Sequence, residues 1–190
     1  MQKLPQKDLN MSRLLEQYKT RILPELKSEL KVDNDFTVPK MVKVVVNAGI
    51  GRILQQQPKQ LDVLKESMKK ITGQQPVVTR AKKAISGFKI RQGQVVGLAV
   101  TLRGKRMYDF IDKLVNTALP RTRDFRGISR KGFDKHGSYT LGIREQIVFP
   151  EMTEESVEGV FGLEISIVTT ARKDEEGYLL LKKLGFPFKD

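Results

Sequence analysis

Four stretches of this chain set an apolar side chain at every second position. Val42, Val44 and Val46 enclose Lys43 and precede Asn47; Leu98, Val100 and Leu102 enclose Thr101 and precede Arg103; Leu141 and Ile143 precede Arg144. Leu163, Ile165, Ile167 and Thr169 alternate in the same way with Glu164, Ser166, Val168 and Thr170. Successive residues of a strand point to opposite faces, so runs of this period bury one face and leave the other in water. The pattern predicts an antiparallel or mixed sheet with helices packed on one side and a polar, basic open face on the other. Aromatic residues of the kind that stack splayed bases are missing from the outward positions, which favours backbone and shape recognition over single-strand stacking.

The spacing between these runs changes to three and four. Leu14, Leu15, Tyr18, Ile22, Leu26 and Leu30 predict a helix over 12–31, kinked or interrupted at Pro24. Leu61, Leu64, Met68 and Ile71 predict another over 58–71, with Pro58 at its start and Gly73 at its end. A third runs through Met107, Phe110, Ile111 and Leu114 and stops before Pro120; a short one starts at Thr153, and a last one lies between Asp174 and Gly185. Strands are expected at Met41–Asn47, Val77–Arg80, Val95–Arg103 and Tyr139–Phe149, and over the Leu163 run. Leaving out the first and the short helix, the order is strand, helix, strand, strand, helix, strand, helix. That is an α+β chain with a split β-α-β, ferredoxin-like sheet, an added N-terminal helix and a long basic hairpin loop. No repeat or low-complexity segment divides it, so 11–190 is read as a single domain and 1–10 as a flexible tail.

Charge is the second constraint. Lys and Arg exceed Asp and Glu by 35 to 22, and ten of these cations lie in the acid-free stretch from Ser67 to Tyr108. Unopposed like charges repel, so a stretch this long points to a polyanion that neutralises it. The chain has no cysteine and one histidine, His136, which removes thiolate metal sites, disulfides and most nucleophile–base pairs that act near neutral pH. No apolar run approaches the roughly 18 residues that a membrane span needs, and neither a cofactor nor a metal is expected.

Three weaker motifs remain. Gly49-x-Gly51 follows a valine-rich strand, but position 54, where a third glycine is needed, is Leu54, and no Lys-Ser/Thr pair follows. A tight strand-to-helix exit accounts for both glycines. Asp109 with Asp112, and Glu154 with Glu155 and Glu158, read as helix-surface charge, since neither group has a histidine or opposing carboxylate. His136, beside Lys135, reads as a turn position or a phosphate contact.

The acid-free stretch contains ITGQQPVVTRAKKAISGFKIRQGQ, Ile71 to Gln94, followed by VTLRGKRMYDFIDKL, LPRTRDFRGIS, YTLGIREQIVFPE and the terminal TTARKDEEGYLLLKKLGFPFKD. In this order, over residues 12 to 190, these motifs resemble the bacterial-type ribosomal protein five family of the large subunit, the family that anchors 5S rRNA. One departure is visible. Where that family usually reads Ser-Phe-Asp-Gly-Arg-Gly-Asn-Tyr, this chain has Gly132-Phe133-Asp134-Lys135-His136-Gly137-Ser138-Tyr139.

The resemblance implies the same split β-α-β fold and a non-enzymatic role in the central protuberance of the large subunit. It implies 5S rRNA contacts at Asn47, Gln74, Phe88, Thr101 and Arg103, with Phe88 either stacking on a base or anchoring its loop. It implies that Arg80, Lys82, Lys83, Lys89 and Arg91 on the hairpin loop reach the P-site tRNA. Further implied partners are other 5S-associated large-subunit proteins and a small-subunit head protein across a bridge, with Arg121 to Gly137 as the segment assigned to it. The expected location is the cytoplasmic bacterial ribosome, or an organellar one. A general nucleic-acid binder without 5S preference is the alternative from composition alone.

Overall fold

The computed structural model describes residues 12–152 and 159–189. Its sheet contains β1 (Met41–Gly49), β2 (Val77–Arg80), β3 (Val95–Leu102), β4 (Tyr139–Ile143) and β5 (Leu163–Thr169). The spatial order is β2-β3-β1-β5-β4, and every neighbouring pair is antiparallel. Register aligns the apolar positions in rows: Val44 lies between Leu102 and Ile167, and Val46 between Val100 and Ile165. All six are buried. The two-faced sheet and the paired β2 and β3 match the α+β expectation.

Helices cover the apolar face. The N-terminal one is built from α1 (Arg13–Gln17) and α2 (Leu23–Glu29); α3 (Gly51–Gln56) is short; α4 (Leu61–Thr72), α5 (Gly104–Lys113) and α6 (Asp174–Lys183) follow. Leu26, Met68, Ile111 and Leu180 bring these helices into one core with the strands. Polar ties fix the outer layer: Arg13 pairs with Asp112 of α5 at 2.6 Å, and Lys183 of α6 bonds Glu29 at 2.6 Å and Glu25 at 3.0 Å. Such exposed pairs contribute little energy but hold α2 against α6.

Several boundaries differ from the sequence expectation, each for a local reason. Between α1 and α2 the helix widens into a π turn over Tyr18–Ile22, where the Leu23 N–H reaches back to the Tyr18 carbonyl. Pro24 cannot donate, and the wider turn just before it absorbs the mismatch. The Pro58–Gln60 segment is a 3-10 turn, and α4 proper starts at Leu61. Val42, expected inward, is 38% exposed. The register slips between Met41, opposite Thr169, and Lys43, opposite Val168, so Val42 is the extra residue of a bulge and Met41 takes the buried place. Strand β4 ends at Ile143 instead of Phe149: Arg144 and Glu145 are both exposed and break the alternation. Buried Gln146 then holds the returning backbone, donating to the Gly159 carbonyl and accepting from the Phe161 N–H, both at 2.7 Å. The short helix expected from Thr153 and the tail 1–10 lie outside the described residues.

The turn before β4 carries the departure noted in the sequence. Asp134 Oδ1 accepts from the N–H groups of His136 at 2.8 Å and Ser138 at 3.1 Å, and Lys135 is held at φ +70°. The resembling motif has glycine at that position. Gly137, at φ +77°, passes so close to α6 that a Cβ on Gly177 would lie 2.4 Å from the Gly137 carbonyl oxygen. A side chain with a Cβ pays about 1–2 kcal/mol for the left-handed conformation, partly offset by the greater unfolded-state freedom of glycine. Lys135→Gly is therefore expected to stabilise the protein by about 0.5–1 kcal/mol in urea unfolding; a loss of stability would contradict this account of the turn.

Burial also sets an alkaline limit. The phenols of Tyr18, Tyr108 and Tyr139 are pushed up to about 12 by desolvation, against roughly 10 in an unfolded chain. A raised folded value means full stabilisation below the unfolded value and loss as pH rises through the folded one. Urea unfolding from pH 8 upward should show this tyrosine-linked stability lost between about pH 10 and 12, with tyrosinate absorbance appearing in step. Tyrosinate formation near 10 in the folded protein would contradict the burial.

Candidate nucleic-acid interface

The open face of the sheet is less polar than expected and mixes polar groups with small apolar ones, among them Val45, Val77, Ala99 and Val168. Thr101 lies opposite Val45, Asn47 lies opposite Ala99 and Glu164, and Thr140 lies opposite Ser166, to which it donates at 3.1 Å. Small residues such as Ala99 and Gly142 leave the backbone accessible, and the strands place no aromatic ring on this face. The basic character expected of it is concentrated at the rim. On the face itself Lys43 is balanced by Glu164, whereas Arg103, Lys105 and Arg106 stand where β3 turns into α5.

That rim collects four of the five residues expected to touch 5S rRNA. Helix α4 ends at Gly73 in the left-handed conformation and delivers Gln74 against β3. Gln74 Nε2 donates to the Thr101 carbonyl at 3.2 Å, and Arg106 donates to Gln74 Oε1 at 3.5 Å. Asn47 and Thr101 are diagonal neighbours on the same face, and Arg103 follows Thr101 by two. The side chains of Asn47, Thr101 and Arg103 form no hydrogen bond or ion pair among the described residues, so their donors and acceptors face outward. Phe88 stands apart from this group. It is 71% exposed on the excursion between β2 and β3, which argues against its anchoring the loop, and its carbonyl accepts from Gln55 of α3 at 3.3 Å.

The start of α5 inverts the usual charge preference of a helix. Carboxylates favour the positive N-terminal end and cations the C-terminal end. Helix α6 obeys this, with Asp174, Glu175 and Glu176 in its first turn and Lys182 and Lys183 in its last. Helix α5 has Arg103 at its N-cap, Lys105 and Arg106 just inside, and no acid in its first turn. The arrangement adds side-chain charge to the helix dipole at one point of the rim and is suited to an anion. Sequence reasoning missed Arg106 as a partner of Gln74, although its place in the acid-free stretch was the available signal.

The β2–β3 excursion has internal order of its own. Ala81 N–H donates to the Gln94 carbonyl, and Ile85 and Ile90 exchange backbone bonds at 2.9 and 3.1 Å. Lys89 closes the tip at φ +54°, and Arg80 is tied to the Gly93 carbonyl at 3.0 Å. Arg80, Lys82, Lys83, Lys89 and Arg91 are all exposed, and none joins an ion pair among the described residues. The structure thus gathers two cationic groups, the rim and the excursion, on elements that share β3.

The other motifs carry no such geometry. Strand β1 has antiparallel neighbours only, and Ile50 bonds the Val96 carbonyl at 3.1 Å with Gly51 packed on the Val96 backbone. That is a tight exit, not a dinucleotide crossover. Asp112 is taken up by Arg13 and Asn116; Glu154, Glu155 and Glu158 lie outside the described residues. His136 is exposed in its turn.

Fold and surface together define an open-faced α+β protein with a cationic rim suited to a polyanion. Two family descriptions match nearly end to end: "Ribosomal protein L5" over residues 34–91 and "ribosomal L5P family C-terminus" over residues 95–188. The chain is 55% identical to the large ribosomal subunit protein uL5 of Synechococcus sp. (strain RCC307), covering 93% of this chain and 98% of that protein. It is 54% identical to the protein of the same name from Halothermothrix orenii, over 94% and 99%, and 51% identical to that from Syntrophomonas wolfei, over 94% and 100%. The chain belongs to the ribosomal protein L5 family. It is a structural, non-enzymatic, RNA-binding constituent of the large ribosomal subunit.

The inverted helix end gives a direct test. Aspartate at the N-cap of α5 caps the first turn and complements its dipole, so Arg103→Asp is expected to stabilise the free protein by about 1 kcal/mol in urea unfolding. A destabilised variant would show that Arg103 serves the fold.

Proposed function

We propose that the protein binds 5S rRNA through the rim formed by Asn47, Gln74, Thr101 and Arg103, helped by Phe88. The carrying observation is the α5 start, where Arg103, Lys105 and Arg106 crowd the positive end of a helix beside outward-facing amide and hydroxyl groups. Amides and hydroxyls of this kind can meet sugar and base edges, while arginine forks onto phosphate. A shallow sheet without aromatic rings suits a folded RNA rather than a splayed single strand.

The excursion carries a second contact in this reading, with Arg80, Lys82, Lys83, Lys89 and Arg91 reaching the P-site tRNA. The five cations lie along the excursion on both sides of its bridged tip, and Phe88 in the tip is exposed for stacking on a base of 5S rRNA. The Arg121–Gly137 segment is assigned to a bridge with a small-subunit head protein, and other 5S-associated large-subunit proteins are partners. The relatives named above are bacterial, in keeping with a cytoplasmic bacterial ribosome, with an organellar one as the alternative.

Filter binding to matched 5S rRNA at two salt concentrations, with excess tRNA as competitor, tests the reading. Wild-type binding should resist the competitor and weaken with salt. Arg103→Ala is expected to lower affinity about tenfold or more and to flatten the salt dependence; Asn47→Ala lowers it without that flattening. Lys82→Ala and Lys83→Ala should leave 5S affinity within about twofold. Equal losses in all four variants would overturn the division between rim and excursion.

A further inference from the structure

Strand β4 is an outer strand of the sheet, and part of its free edge borders a groove of about 920 Å3. Gly132 and Phe133 cover the start of the strand, with Phe133 bridged to Tyr139. Beyond them, Leu141 to Glu145 line the groove on one side and the segment from Thr122 to Lys131 lines the other. That second wall is fixed by the chain end: Ile128 N–H donates to the Pro187 carbonyl at 2.8 Å and Lys189 N–H donates to the Ile128 carbonyl at 2.9 Å. The groove is therefore framed by backbone pairing at its outer wall as well as by the sheet.

We propose that this groove takes an extended acidic segment of another protein, paired with β4 as an added strand. The groove carries Arg123, Arg126, Lys131, Arg144 and Lys189 against only Asp124 and Glu145. All five cations are exposed, and none forms an ion pair among the described residues. Ile128, Leu141, Ile143 and Val148 supply an apolar lining, so a strand alternating apolar and acidic residues satisfies both kinds of surface. A free strand edge offers alternating N–H donors and carbonyl acceptors. The phosphates of RNA accept only, and its donors, the 2′-hydroxyls and base edges, do not recur at the spacing of a peptide strand, which disfavours RNA here. A second copy of this chain would set the same five cations against themselves. The inference deepens the reading of the Arg121–Gly137 segment, which forms one wall of the groove, as a protein-contacting surface and rests on it.

The full chain is titrated with a fluorescein-labelled twelve-residue peptide alternating valine and glutamate, beside a valine–lysine peptide and a twelve-nucleotide oligouridylate. Amide hydrogen exchange locates the contact. The acidic peptide should bind, slow exchange along Leu141–Glu145, and lose at least tenfold in affinity to the Arg126→Glu, Lys131→Glu double variant. The lysine peptide should not bind. Protection on β2 instead of β4, unchanged affinity in the double variant, or preferential occupation of the groove by oligouridylate would overturn the proposal. Affinity for 5S rRNA is measured on the same variant. Failure of the peptide with 5S binding intact would remove the groove assignment and leave the rim reading standing.

Discussion

Strand β1 is hydrogen-bonded antiparallel to β3 on one side and to β5 on the other, so its alternating side chains have two fixed destinations. Val44, Val46 and Ala48 enter the core in register with Leu102, Val100 and Leu98, and the opposite set emerges on the open face. A slip of one residue would exchange the sets along the whole strand. The bulge at Val42 shows how the chain tolerates an irregularity: the extra residue is placed at the strand's start, before the rows of paired valines begin. From that register follow the position of Asn47, the diagonal placement of Thr101, and the point where β3 hands over to α5.

The cationic rim conflicts with local stability in one respect. Three basic residues at the N-terminal end of α5 oppose the helix dipole, whereas α6 in the same protein has the favourable order of charges. Breaches of a local rule in a chain that otherwise obeys it are expected at functional or strained positions. The acidic first turn of α6 packs instead on the Asp134 turn, where Asp174 accepts the Gly137 N–H at 3.1 Å.

Much of this was legible in the sequence. Periodicity located the buried faces of β3 and β5 and the course of α4, because burial of one face leaves a direct trace in the order of residues. It misjudged Val42 and the end of β4, since a bulge and a turn are decided by partners distant in the chain. Gln146 illustrates the limit: its burial depends on the Gly159 and Phe161 backbone, which no local window contains. The rim was legible residue by residue through the family resemblance and by alternation for Asn47, Thr101 and Arg103. Its assembly, with Gln74 bridging α4 to β3 and Arg106 bridging to Gln74, required the tertiary structure. The groove at β4 left no trace in periodicity, for its walls come from three separate segments.

The central claim is that the open side of the β1–β3 rim, and not the helical side, meets RNA. The most direct measurement follows the side-chain amide resonances of Asn47 and Gln74, with the backbone signals of all helices, as 5S rRNA is added to isotopically labelled protein. The account predicts that Asn47, Gln74, Thr101 and the first turn of α5 shift together at low RNA ratios while α2 and α6 stay unchanged. Shifts confined to α2 and α6, with the Asn47 and Gln74 amides unmoved, would contradict it.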